Sequence, residues 1–126
     1  MPDRPLALAA DAAPSVNDLI GLTLTRAGFR VVTVPGPDAI DRHLTAAVRV
    51  VVLAATEPGE SAAQAVAALR GRAARPAVVV LANGDDPAAN ALAAADPGVR
   101  VVHKPFRPTE LVDAARQLVG MGKPHA

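Results

Sequence analysis

Val99-Arg100-Val101-Val102-His103-Lys104-Pro105-Phe106, followed at once by Arg107-Pro108-Thr109-Glu110-Leu111, joins a strand to a helix within a few residues. Val99–Val102 is β-branched at three of four positions and reads as a strand. Lys104-Pro105 ends it. Pro108 suits the first turn of a helix, and Leu111, Val112, Ala115, Leu118 and Val119 then share one face. Four more apolar runs lie upstream: Leu6–Ala10, Val31–Val34, Val50–Ala54 and Ala77–Leu81. A stretch of helical character follows each. Strictly alternating strand and helix predicts a parallel sheet joined by right-handed crossovers. Five such units give an α/β, flavodoxin-like (βα)5 doubly wound sheet of strand order 2-1-3-4-5. The ends of strands one, three, four and five then meet on one edge.

The connections fit this reading. Leu6–Ala10 is apolar on both faces and is expected to be central. Pro14 opens the first helix, with Ser15 or Asp11 as its cap. Val16, Leu19, Ile20, Thr23 and Ala27 recur at helical spacing, and Gly28 stops the helix. Pro35-Gly36-Pro37 turns the chain into a short helix over Asp38–Ala47, with Ile40 and Leu44 four apart. Thr56-Glu57-Pro58-Gly59 is a loop. A helix over Ala62–Arg72 points Val66 and Leu69 inward, and Asn83-Gly84-Asp85-Asp86 leads into an Ala-rich helix, Pro87–Ala95. Residues 1–120 form one domain, and residues 121–126 have the composition of a tail or a linker start.

Composition narrows the function. Aromatic residues are 2% of the chain, so Val, Leu and Ile must build the core, around only Phe29 and Phe106 as large rings. Net charge is +1 and the arginines are scattered among acids, which gives no basic patch for nucleic acid. Cysteine is absent, which excludes disulfides and thiolate chemistry and fits a reducing cytoplasm. No apolar run reaches membrane-spanning length, and the N-terminus lacks the stretch of a secretory signal. His43, His103 and His125 show no metal-ligand spacing, and no glycine pattern cradles phosphate. No nucleophile–base–orienter set can be assembled, so an enzyme is not expected.

Nearly the whole chain resembles a response-regulator receiver domain. Pro14-Ser15-Val16, Leu19-Ile20 and Ala27-Gly28-Phe29 are similar to the first receiver helix and its exit. Pro58-Gly59 sits where receivers carry a proline after the third strand. Lys104-Pro105-Phe106, placed after a fifth strand and before Pro108-Thr109-Glu110-Leu111, is the most specific match. The resemblance implies phosphoryl transfer to an aspartate ending the third strand. An acid pair after the first strand would hold Mg²⁺. A hydroxyl after the fourth strand and a lysine after the fifth would bind the phosphoryl oxygens.

The chain departs from that pattern at most reactive positions. The acid pair falls on Asp11 and Ala12, the phosphoacceptor on Ala54, the hydroxyl on Ala82 and the aromatic switch on Val101. Asp11 and Lys104 alone remain. Glu57 is the nearest acid to Ala54 but would need a shifted alignment. Thr56 and Ser61 read as loop hydroxyls. Asp11 and Lys104 are expected to form a direct or water-bridged ion pair, the alternative being a Lys104 that extends to solvent with its stem on the sheet.

The expectation is therefore a pseudo-receiver of two-component signalling, cytoplasmic, without cofactor or metal. It would act by protein–protein contact with a kinase, output domain or regulator. Pro87–Ala95, Arg100–Val102 and Pro108–Val119 would form the contact surface, and a homodimer is a further option. Direct nucleic-acid or membrane binding is not expected. Two other readings stay open: a flavodoxin-like domain for a small ligand, and the phosphorylation-independent regulatory domain of a transcription factor.

Overall fold

A computed structural model describes residues 4–11, 13–35, 40–43, 45, 47–54, 66–71, 76–83, 87–104 and 106–120. In chain order these form β1 (Leu6–Ala10), α1 (Pro14–Arg26), β2 (Arg30–Val34), α2 (Ile40–His43) and β3 (Val48–Ala54). Helical residues 66–70 (α3) follow. β4 (Ala77–Asn83), α4 (Pro87–Ala95), β5 (Val99–Lys104) and α5 (Pro108–Val119) complete the fold. The strands form one parallel sheet in the order β2-β1-β3-β4-β5, as the alternation predicts. β1 is interior, and Ala7 through Ala10 are all buried.

Alternation along the strands sorts side chains into two cores. Ala7, Ala9, Val50, Val52, Val79 and Leu81 pack with Ile20 and Leu24 of α1 and with Leu111 and Ala115 of α5. Leu8, Val51, Leu53, Val78 and Val80 pack with Ile40 of α2, Val66 and Leu69 of α3 and Ala89 of α4. Phe29 is fully buried in the first of these layers, where it is the largest of the fully buried side chains. The sheet thus has α1 and α5 on one face and α2, α3 and α4 on the other.

Several local expectations need correction. Ser15 does not cap α1, whose N-cap residue is Ala13, without a side-chain cap bond. Instead the Ala13 N–H donates to Asp11 Oδ1 at 2.8 Å, which fixes the turn before Pro14. The inward side of α1 is Asn17, Ile20 and Leu24, while Leu19 is exposed. Gly28 does end α1: at φ +102° it adopts a conformation that suits glycine, and the Phe29 N–H returns to the Leu24 carbonyl. The described part of α2 stops at His43, short of the expected Ala47. There the Thr45 hydroxyl takes the Ala47 N–H at 3.2 Å and diverts it from a helical bond. α3 ends at 70 with Gly71 in a turn, and residues 62–65 and 72 lie outside the described residues.

One side chain ties three connections together at the edge opposite the strand C-termini. The Arg70 guanidinium donates to both carboxylate oxygens of Asp96, at 2.7 and 2.9 Å, and to the Pro76 carbonyl at 3.3 Å. Asp96 Oδ1 also accepts the Gly98 N–H at 2.9 Å. The end of α3, the start of β4 and the α4–β5 turn are thereby pinned by a bidentate pair.

Candidate functional site

The strand register sets out the edge where reactive groups would gather. Ala10 pairs with Leu53 and Ala54 with Leu81, so Ala54 lies level with Asp11, one residue past β1. Ala82 pairs with His103 and Asn83 with Lys104. The apolar runs underestimate β4 and β5. Both continue through polar residues, because ladder bonds require only backbone. Ala82 and Lys104 therefore belong to strands and not to the turns after them.

Asp11 is the charged residue buried here, with 3% exposure. Lys104 Nζ lies 3.5 Å from its Oδ2. β3 and β4 separate the two strands, about 14 Å at ordinary strand spacing. The Lys104 and Asp11 side chains and the 3.5 Å between them together span that distance, at an edge where the intervening strands carry Ala54 and Ala82 and so no long side chain in sequence. The direct pair forms, and the lysine is 24% exposed where it makes it. Such a pair offsets the cost of burying the carboxylate, which Ala13 supports through the other oxygen.

Asn17 is a second buried polar residue, and sequence reasoning passed over it. Its amide Nδ2 donates to the Asp11 carbonyl at 2.8 Å and the Val34 carbonyl at 2.7 Å. It thus satisfies the carbonyl ends of β1 and β2 from the first turn of α1. The available signal was an amide three residues after the helix-opening proline, in phase with the buried Ile20 and Leu24. Asp11 Oδ2 and Asn17 Oδ1 are buried without a hydrogen-bond partner.

These groups do not fit Mg²⁺. The ion requires an octahedron of oxygen ligands. Among the described residues one carboxylate is present here, one of its oxygens takes an amide N–H, and the other faces an ammonium at 3.5 Å. No group of three His, Asp or Glu residues able to hold a metal exists among the described residues. Ala12, Thr56, Glu57, Ser61, Asp85 and Asp86 lie outside the described residues. Val101 is half-buried in β5 and packs against the α2–α4 core. His103 is exposed at the end of β5. No helix among the described residues is long and apolar enough to cross a membrane. A cavity of about 410 Å³ lies between α1 and α5, away from the strand-end crevice where a small ligand was the alternative expectation.

No protein-family model and no curated protein matches the sequence. Solved structures do match the fold. A response-regulator receiver protein from Burkholderia phymatum is similar at TM-score 0.75 and 23% identity, over 97% of this chain and 100% of that one. A receiver domain protein from Clostridium thermocellum is similar at TM-score 0.76 and 20% identity, over 91% of this chain and 94% of that one. An adenylate cyclase structure from Rhodopirellula baltica is also similar, at TM-score 0.78 and 16% identity, over 94% of this chain and 89% of that one. Strand order, helix placement and these neighbours agree: the chain has the fold of response-regulator receiver domains, the flavodoxin-like α/β sheet.

Proposed function

We propose that this chain is a pseudo-receiver, a non-enzymatic module of two-component-type signalling that works through protein contacts without aspartyl phosphorylation. The observation that carries the reading is the strand-end edge itself. β3 ends on Ala54, level with Asp11, and the Lys104 ammonium lies 3.5 Å from the Asp11 carboxylate. A methyl group cannot attack phosphorus. The lysine that would receive a phosphoryl oxygen already has an anion, and the remaining carboxylate is too poor a ligand set for the divalent ion. With no phosphoryl group to bias them, the loops at this edge lose the usual switch input. The domain then presents a standing surface or answers to another input. α4, the Arg100–Val102 part of β5, and α5 are the contact surface on this reading. The exposed Ala91, Ala94 and Ala95 of α4 and the exposed Arg100 would let a partner's backbone approach closely.

The test is incubation of the intact chain with a small-molecule phosphodonor and Mg²⁺, followed by intact-mass measurement, beside a receiver that retains its aspartate. The expected result is an unchanged mass here and one added phosphoryl group in the control. Acid-labile addition of one phosphoryl group to this chain would overturn the reading.

A further inference from the structure

Leu19 and Leu22 on α1 serve neither core. They are 45% and 50% exposed, the largest such values among the big aliphatic side chains described. Beside them runs the groove between α1 and α5, lined by Leu19, Leu22, Pro108 and Val112 and edged by the charged Arg26, Asp113 and Arg116. Two exposed leucines one turn apart, beside a groove with an apolar floor and a charged rim, mark a contact surface.

The order of charges on the same helix indicates what covers it. Asp18, Leu22 and Arg26 are spaced by four residues and so stack along one face of α1. Both charged residues are exposed. The acid lies one turn before Leu22 and the base one turn after it. A half-turn rotation about an axis through Leu22 exchanges the two. Two copies of α1 packed antiparallel and crossing at Leu22 therefore set each Asp18 against the partner's Arg26, with leucines meeting between them. Parallel packing would set like charges together. This stripe is complementary to itself, which is the requirement of an isologous two-fold interface.

We propose that the α1–α5 face is a homodimer interface, with α1 antiparallel to its counterpart and a leucine of each copy seated in the groove of the other. The proposal does not depend on whether the strand-end site takes phosphate. It uses the face of the sheet opposite α4.

The test is sedimentation velocity on the full chain over roughly 1–300 μM, a range suited to a small interface. The wild type is expected to show a monomer–dimer equilibrium that weakens with added salt. Asp18→Arg and Arg26→Asp, each alone, place like charges opposite one another and should weaken dimerisation by about tenfold or more. An equimolar mixture of the two variants regains opposite charges at both contacts and should restore the dimer, which also shows that each variant is folded. A wild type that stays monomeric throughout, single variants that dimerise like the wild type, or a mixture that stays apart would each overturn the proposal.

Discussion

Removing the ammonium from the strand-end pair should harm the fold more than removing the carboxylate. Lys104→Met keeps most of the length of the side chain and deletes its charge. Asp11 would keep the Ala13 N–H on Oδ1, but Oδ2 would face no cation among the described residues while remaining 3% exposed. Coulomb attraction at 3.5 Å is about 5 kcal/mol at an effective dielectric of 20, and solvent around a partly exposed lysine reduces it. A loss of about 2–3 kcal/mol follows, somewhat under the cost of orphaning a fully buried charge. Asp11→Ala also breaks the pair and the Ala13 bond. It removes the desolvated group at the same time, however, and Lys104 can turn to water. That loss should be about 1 kcal/mol. The double variant should lie close to Asp11→Ala, because the orphaned charge is gone. For a chain of this size 1 kcal/mol corresponds to about 3–5 °C in Tm, so thermal melts followed by circular dichroism separate the three variants. A Lys104→Met protein as stable as the wild type, or more stable than Asp11→Ala, refutes the assignment of Asp11 as a buried charge held by this lysine.

Asn17→Ala should cost about 2 kcal/mol, since it removes two buried hydrogen bonds to the Asp11 and Val34 carbonyls at the ends of two strands; urea unfolding measures it, and a loss under 0.5 kcal/mol would mean that water replaces the amide. Gly98→Ala would bring a Cβ to 2.5 Å from the Arg70 guanidinium. The arginine must then leave Asp96, at a cost of about 1 kcal/mol. Faster amide exchange at the end of α4 and the start of β5 is the expected readout, and unchanged exchange there contradicts a pinning role for Arg70.

Parts of this architecture were plain in the chain because their signals are local. Proline before a helix and an apolar run of fixed length bound α4 and β1 to the residue, since each rests on sterics or on burial of both faces. The ends of β4 and β5 were not legible. Ala82, Asn83, His103 and Lys104 are held by backbone pairing with one another, which leaves no hydrophobic trace. The phase of α1 was ambiguous for a different reason. Leu19, Ile20, Leu22 and Leu24 supply more apolar residues than one face needs, and only contact with the sheet decides which of them are covered. Asp11 and Lys104 were found as survivors of a motif, and their meeting follows from a sheet order that brings both strand ends to one edge. Asn17 escaped because its task is to serve two carbonyls distant in sequence, a demand no periodicity encodes.

The near-absence of rings has a practical side. With neither tryptophan nor tyrosine, the chain has two phenylalanines as its only benzene rings. Phe29 is sealed in the layer beneath α1 and α5, while Phe106 sits half-covered two positions after Lys104. Fluorinating both would yield a pair of resonances, one reporting global unfolding and the other the neighbourhood of the lysine, with no third phenylalanine to overlap them.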